Sequence, residues 1–234
     1  MRAVFKNVLI GSVMLGSLLM ATAWPQSDSG ALDRVLKQMD DAARNFRSTQ
    51  ANVVWDEYDA VIRETETQTG KIYFRRQGSE IQMAVEFDKP DLKYVIYSGG
   101  KVQVYQPKID QVSLYDPGKN RGDVESFLVL GFGGAGHDLS KSYEVKFLGT
   151  ENINGVAAEK LELTPISVSL RNNIARILLW IDPAKGISLQ QQFFEPGGNY
   201  RLAKYSDIQM NQNLPESAFK LKTTKKTRFI SPQG

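Results

Sequence analysis

The stretch that decides the fold runs from Gly70 to Tyr115 and reads GKIYFRRQGSEIQMAVEFDKPDLKYVIYSGGKVQVYQPKIDQVSLY. Apolar and polar residues alternate within its short runs, which is the period of strands that bury one face. Gly, Pro and Asp residues separate the runs at the roughly 8 to 12 residue spacing of an antiparallel meander. The stretch therefore predicts a sheet with one apolar face, and function depends on what covers that face.

Seven side chains of this stretch are expected on the apolar face, because residues two apart in a strand point to the same side. They are Met83, Val85, Phe87, Tyr94, Ile96, Val102 and Val104. Two interpretations of this face stay open on the residues alone. It lines a concave cavity for an apolar ligand, or it forms an ordinary sheet core.

The N-terminus has the pattern of a secretory signal peptide. Arg2 and Lys6 precede an apolar run over residues 8–20, and Ala21-Thr22-Ala23 provides a small-residue cleavage site. The alternative is a membrane anchor, but the run is shorter than the ~20 apolar residues that a spanning helix needs. We therefore expect a signal peptide over residues 1–23 and one exported domain over residues 24–234.

The rest of the chain predicts a mainly β protein of the α+β class. Apolar residues from Leu32 to Phe46 recur at helical spacing, so this segment is expected to form a helix that covers the sheet. Residues 123–130 predict a shorter helix, with Asp123 as its cap, that presents Phe127, Leu128 and Leu130 to something apolar. Further alternating runs from Tyr143 onward, with a hairpin at Asn154-Gly155, bring the expected total to about eleven strands.

The glycine-rich segment 131–136, GFGGAG, matches the spacing G-x-G-x-x-G of nucleotide-binding loops. That motif follows a strand and opens a helix, whereas this segment is expected to follow a helix and precede a strand. We interpret it as a mobile hinge.

Composition argues against enzymatic chemistry and against a metal or other cofactor. The chain has no cysteine and one histidine, His137, in the glycine-rich segment. A Cys/His metal site is therefore excluded, and a flexible loop is a poor position for a catalytic base. The acidic pair Glu64 and Glu66 lies among polar residues and is expected to face water rather than to act as a glycosidase pair.

The C-terminal segment is basic, with a run of cations at Lys220, Lys222, Lys225, Lys226 and Arg228. A solvated edge and contact with anionic lipid are both compatible with this run. Export argues against nucleic acid, and the formal net charge of +3 identifies no partner.

The order of several weak motifs resembles the periplasmic lipoprotein carriers called LolA, with the outer-membrane counterpart LolB close behind. The segment from Gly70 to Arg76 resembles the family's G-x-L-x-x-K-R, and Gly100-Lys101, Tyr105-Gln106-Pro107 and Gln111-Val112 resemble its G-K…Y-x-P…Q run. Phe127 to Leu130 is similar to the family's lid helix. A turn from Asp182 to Gly186 and a closing segment from Asn213 to Leu221 complete the resemblance.

This resemblance implies an unclosed, strongly curved half-barrel of about eleven antiparallel strands, with helices as a lid over an apolar cavity. It implies a monomeric periplasmic carrier that takes acylated lipoprotein or lipid from an inner-membrane donor complex to an outer-membrane acceptor. It also implies that Arg76 is a latch that bonds to the lid; the alternative is a solvent-facing strand arginine. A lipid-sensing, regulatory module of the same fold is the alternative function.

Overall fold

The computed structural model of the protein describes residues 28–78 and 80–231. The expected signal peptide and its cleavage site lie outside these residues. Twelve strands lie within the described ranges. They are β1 (Ser48–Asp59), β2 (Glu64–Gln77), β3 (Glu80–Lys89), β4 (Lys93–Ser98), β5 (Lys101–Gln106), β6 (Gln111–Tyr115), β7 (Tyr143–Ile153), β8 (Val156–Pro165), β9 (Arg176–Asp182), β10 (Ile187–Phe194), β11 (Tyr200–Met210) and β12 (Arg228–Ile230).

Four α-helices accompany the strands in the part of the chain that the structure describes. They are α1 (Asp28–Arg44), α2 (Arg121–Leu128), α3 (Leu139–Ser142) and α4 (Val168–Arg171). Since α2 begins at Arg121, Asp123 lies inside the helix, and the expected cap at that position is wrong. Among the described residues, no helix combines the length and the apolar character needed to cross a bilayer.

All twelve strands form one open sheet in the order β12-β6-β5-β4-β3-β2-β1-β11-β10-β9-β8-β7. Two meanders, β1–β6 and β7–β11, meet where β1 pairs antiparallel with β11. Among the strands of the described residues, only β12 pairs in parallel, with β6. The two edge strands do not pair with each other, so the predicted unclosed half-barrel and the mainly β class are confirmed. The short basic strand β12 is the addition to the expected eleven.

Turn chemistry sets the hairpins as expected. Asn154 and Gly155 both have positive φ, at 50° and 87°, between β7 and β8. Two-residue turns with this backbone match the right-handed twist of the strands, and Asn-Gly is the pair that tolerates it best.

Helix α1 covers the concave face, as its periodicity predicts. Its residues Val35, Leu36 and Met39 are buried against β8, β9 and β10. Phe46, just after the helix, packs with Phe74 of β2 at 5.6 Å between ring centroids. The helix therefore joins the two meanders on the same side of the sheet.

The C-terminal segment covers part of the convex face. After β11 the chain runs across β3 and β4, where Phe219 is buried against Ala84 and Ile96. Fully burying a phenylalanine contributes about 1.5–3 kcal/mol. The segment then reaches the sheet edge and ends in β12.

Candidate functional site: an apolar cavity beneath the lid segment

A cavity of about 200 Å³ lies between the concave face of the sheet and the residues that follow β6. Most of its lining is aliphatic or aromatic. The lining residues are Val53, Trp55, Glu57, Ile72, Phe74, Met83, Val85, Phe87, Lys93, Val95, Phe127, Leu128, Phe132, Gln191, Phe193 and Tyr205. We call residues 121–137, which close the cavity, the lid segment.

Three of the predicted cavity residues, Met83, Val85 and Phe87, line this cavity. Val102 and Val104 lie on the same face of the sheet, because they pair with Tyr97 and Val95, but they lie beyond the cavity lining.

The prediction that Tyr94 and Ile96 face the cavity is wrong. In the register of β3 and β4, Val85 lies opposite Val95, so the odd-numbered residues of β4 face inward. Ile96 is buried on the convex face beneath Phe219, and Tyr94 stacks with Tyr105 at 6.1 Å. Both faces of β4 are apolar, and alternation alone therefore does not identify its inner face.

Several cavity residues were not among the predicted ones. Val53 and Trp55 of β1, and Ile72 and Phe74 of β2, are apolar residues two apart in their strands, and this spacing was a usable signal. Gln191, Phe193 and Tyr205 belong to β10 and β11, and only the pairing of β1 with β11 brings them to the cavity.

The lid segment inserts its own side chains into the space beneath it. Phe127 packs on Phe193 with ring centroids 4.7 Å apart, and Leu128 lines the cavity. Leu130 is buried with α1 and β8–β10 rather than at the cavity. Phe132 makes an edge-on contact with Tyr205 at 4.8 Å and was not among the predicted lid residues.

The glycines of the lid segment have packing reasons for their identity. A Cβ on Gly133 would lie 2.4 Å from the Phe46 ring, and a Cβ on Gly136 would lie 2.2 Å from the Leu36 carbonyl oxygen. Side chains at these positions are sterically excluded. The segment follows α2 rather than a strand, as expected, but close packing against α1 and against Phe46 after it explains these glycines better than a hinge does.

Arg76 reaches the lid segment. Its Nη2 donates to the Gly133 carbonyl oxygen at 2.5 Å, and its guanidinium lies 6.0 Å from the centroid of the Phe46 ring. The contact expected with Phe127–Leu130 is instead made a few residues later, with the glycine-rich part of the segment.

A second tether comes from β10. The Gln191 side-chain amide donates to the Leu130 carbonyl oxygen, and Gln191 Oε1 accepts from the Tyr205 hydroxyl at 3.0 Å. Burial raises the pKa of Tyr205, which keeps this hydroxyl a donor. The Ser188 backbone N–H donates to the Gly131 carbonyl oxygen at 2.8 Å. A buried glutamine in a strand carried no signal in the sequence.

The third tether is electrostatic and joins the end of the lid segment to α1. His137 Nδ1 contacts the Asp40 carboxylate, its backbone N–H donates to Asp40 at 3.1 Å, and its Nε2 lies 3.4 Å from Asp33. Hydrogen bonds to Asp40 and Asp33 raise the pKa of His137. Burial raises the pKa of Asp40, but the bonds from His137 outweigh it and the net pKa is lowered.

A fourth contact holds helix α2 over β4. The buried Tyr97 hydroxyl donates to Glu125 Oε1 at 2.7 Å, and Arg121 Nε donates to the same oxygen at 2.8 Å. Burial, together with the bond to Glu125, raises the pKa of Tyr97 to about 12.

The described residues also form a polar cleft, and they do not form a metal site. A larger cleft of about 790 Å³ between the β1–β2 and β10–β11 turns is lined largely by acidic and polar side chains, among them Glu64 and Glu195. Within the described ranges, no group of three or more His, Cys, Asp or Glu residues is arranged to hold a metal ion.

Comparison with known proteins agrees with this geometry. The model of the family described as "Outer membrane lipoprotein carrier protein LolA" matches residues 44–222, which confirms the resemblance seen in the sequence. The chain is 23% identical over 227 residues to the outer-membrane lipoprotein carrier protein of Ralstonia nicotianae, covering 95% of this chain and 94% of that protein.

Solved structures share the fold at low sequence identity. An uncharacterized conserved protein from Thermus thermophilus has a TM-score of 0.53 at 18% identity, covering 88% of this chain and 99% of the other. MucB has a TM-score of 0.52 at 14% identity over 82% of this chain, which spans 63% of the length of MucB.

Proposed function

Because the chain belongs to the family described as outer membrane lipoprotein carrier protein LolA, we propose that it binds the acyl chains of lipoproteins, or of another acylated molecule, and carries them through the periplasm. The family is one of carriers and not of enzymes, in agreement with the chemistry expected from the sequence. The proposed route runs from an inner-membrane donor complex to an outer-membrane acceptor, with the carrier as a monomer.

The observation that carries this proposal is an apolar cavity occupied by the protein's own lid. At about 200 Å³ it is smaller than the roughly 300–1,000 Å³ of typical ligand sites. Phe127, Leu128 and Phe132 line it from the lid side. An acyl chain therefore enters only when these side chains move away, so binding and lid opening are one process.

Competition between lid and cargo makes release possible. Each buried CH₂ of an acyl chain gains about 0.8 kcal/mol, and each large apolar lid side chain gains about 1.5–3 kcal/mol when it returns to the cavity. The lid thus lowers the net affinity for cargo, and an acceptor with no such competitor takes the load.

Arg76 is the proposed latch of the closed lid. Its hydrogen bond reaches a backbone carbonyl of the lid segment, so it stabilises one lid position regardless of the lid's side chains. A bond to a charged donor contributes about 1.5–3 kcal/mol when buried, and less at a half-buried site such as this.

We also propose that the N-terminal signal peptide directs export of the protein to the periplasm. We expect a mature protein that begins at Trp24 and is recovered by osmotic shock. N-terminal sequencing that finds Met1 on the protein in the periplasmic fraction would contradict the predicted cleavage of a signal peptide.

The test of function is native mass spectrometry of the exported protein, purified without detergent from cells that make triacylated lipoproteins. We expect a one-to-one complex with an acylated protein, absent when acylation is blocked. Co-purification of free lipid alone supports the lipid-sensing alternative. A protein that stays empty after exposure to acylated lipoprotein contradicts the carrier proposal.

A further inference from the structure

The C-terminal segment forms a tight turn that presents two lysines. The Thr224 backbone N–H donates to Thr227 Oγ1 at 2.8 Å, and the Lys226 backbone N–H donates to Thr224 Oγ1 at 3.0 Å. These bonds use the threonine side chains to close the turn. Lys225 and Lys226 are left at its tip and are exposed.

Asp110 anchors this turn to the connection between β5 and β6. Its carboxylate accepts from the hydroxyls of Thr227 at 2.6 Å, Thr224 at 2.8 Å and Tyr105 at 3.1 Å. Its carbonyl oxygen also accepts from the Arg228 backbone N–H at 3.0 Å. The hydrogen bonds from Thr227 and Thr224 lower the pKa of Asp110, so the anchor stays charged at neutral pH.

The cations near this anchor have no counter-ion among the described residues. Lys222, Lys225 and Lys226 form no ion pair there, and the Arg228 guanidinium donates to the neutral Gln111 side chain at 3.3 Å. The Asp110 carboxylate accepts from three hydroxyl groups, and the Asp91 carboxylate is paired with Lys108 at 2.9 Å. Four positive charges therefore lie within residues 222–228 and outnumber the single charge of the Asp110 carboxylate, and this excess favours binding of an extended anionic surface.

Apolar side chains stand beside these cations. Ile109, next to Asp110, is 50% exposed, and Phe229 and Ile230 of β12 are 59% and 40% exposed. A soluble anion or a nucleic acid accounts for the lysines but not for these side chains. The headgroup region of an anionic bilayer takes both, since it attracts Lys and Arg and accepts apolar groups just beneath the phosphates.

We propose that this surface, the basic edge (Ile109, Lys222, Lys225, Lys226, Arg228 and Phe229), docks the protein on bilayers that contain anionic phospholipid. The strands of the meander alternate in direction, so the β3–β4 and β5–β6 turns lie at one end of the sheet. Phe87 and Lys93 line the cavity at that same end. Docking through the basic edge therefore turns this end of the cavity toward the membrane.

Vesicle flotation of the complete mature protein tests the proposal. Phosphatidylcholine vesicles are compared with vesicles that also contain phosphatidylglycerol, at low and high salt. We expect binding only to the anionic vesicles and a loss of binding at high salt, because surface charges are screened. Both vesicle types offer the same acyl chains and differ in headgroup charge, so a difference in binding between them does not arise from acyl-chain binding in the cavity.

The matched pair of variants is Lys225→Gln/Lys226→Gln and Lys37→Gln/Lys146→Gln. The second pair removes two exposed lysines from α1 and β7, so both proteins have the same net charge. Each lysine near an anionic surface is worth about fivefold in binding, or about 1 kcal/mol. We expect Lys225→Gln/Lys226→Gln, the tail variant, to bind anionic vesicles about 25-fold more weakly. The control variant should bind like the original protein.

Phe229→Ser separates the apolar part of the surface from the charged part. This side chain is exposed, so the fold tolerates the change, and binding to anionic vesicles is expected to fall while the salt dependence stays. Equal binding of the original protein to both vesicle types overturns the proposal. So does equal loss in the tail and control double variants, which assigns the effect to net charge alone.

Discussion

The two faces of the sheet are covered in different ways, and adjacent arginines of β2 show the difference. Arg75 points to the convex face, where its guanidinium lies 4.2 Å from the centroid of the Phe219 ring and donates twice to Glu216, at 2.5 and 3.0 Å. Arg76 points to the concave face and donates to the Gly133 carbonyl oxygen. One arginine holds the C-terminal cover and the other holds the lid.

The covers differ in what lies beneath them. Phe219 packs directly on Ala84 and Ile96, so the convex cover forms a filled core. The lid leaves a cavity, and polar contacts made by Arg76, Gln191 and His137 hold it in addition to its apolar side chains. Polar groups that become exposed when a lid opens exchange their hydrogen bonds for bonds to water, whereas a filled apolar core loses its contacts outright. We therefore expect the convex cover to be structural and the concave cover to open.

The largest expected effect compares two buried phenylalanines. Phe219→Ala should lower the free energy of unfolding by about 3–5 kcal/mol and leave acyl-peptide affinity unchanged. Phe132→Ala, on the concave face, should tighten acyl binding about tenfold or more, because a competitor for the cavity is lost. Denaturant unfolding and binding titrations measure both quantities. Equal changes in affinity would remove the distinction between the covers.

A carboxylate on each cover sharpens the comparison. Leu128→Glu should weaken acyl-peptide uptake at least tenfold, because the charge must be desolvated or protonated beside the acyl chain. Leu221→Glu places the same charge at a half-buried position of the convex cover and should leave uptake unchanged. Uptake that survives Leu128→Glu argues against an acyl path beneath the lid.

The arginine pair provides the test of the latch. Arg76→Leu should slow the release of a bound acyl peptide to an acceptor about fivefold, since loss of one charged hydrogen bond at a half-buried site makes the closed, empty state less stable. Arg75→Leu is the neighbouring control and should release at the original rate. Stopped-flow release at matched folding stability compares them, and identical rates in all three proteins contradict the latch.

The smallest effect is expected from pH. The pKa of His137 is raised in the folded protein, so its stabilising contribution is complete below the ordinary value of about 6.5 and is lost as pH rises through the raised value. The pKa of Asp40 is lowered, so its contribution is present above its ordinary value of about 3.9 and is lost as pH falls through the lowered value. The tether is strongest between these limits.

Amide hydrogen exchange in residues 131–137 measures this tether. Protection should decrease as pH rises through the titration of His137, after correction for the intrinsic pH dependence of exchange. In His137→Gln the decrease should be absent. A decrease of the same size in that variant assigns the effect to another group.

Periodicity in the sequence was sufficient for the sheet and for α1. The strands that alternate strictly, such as β3, were placed on the correct face, because a one-residue slip would expose every apolar side chain. The prediction of the inner face of β4 was wrong because both of its faces are apolar. Tyr94 and Ile96 lie on one face, and Val95 and Tyr97 lie on the other. Its orientation depends on the C-terminal segment, which is distant in sequence and covers Ile96.

The site was only partly predictable for a related reason. The contact of Arg76 with the lid followed from resemblance to a family, whereas the tether through Gln191 depends on the pairing of β10 with β11 and on a buried hydrogen bond to Leu130. Polar residues in strands usually face water, so the residue type gave no reason to place the Gln191 side chain in the site. The glycines near Gly133 were taken for a hinge because their contacts with α1 are long-range.

Two tryptophans on opposite faces provide the most direct measurement of the central claim. Trp55 lines the cavity, whereas Trp180 is buried on the convex face with Ala158 and Leu178. In variants that retain one of them, with Trp24 also replaced by Phe, a brominated acyl peptide should quench the fluorescence of Trp55 and leave Trp180 unchanged. Equal quenching of both, or quenching of Trp180 alone, would place the acyl chain outside the cavity and contradict the account.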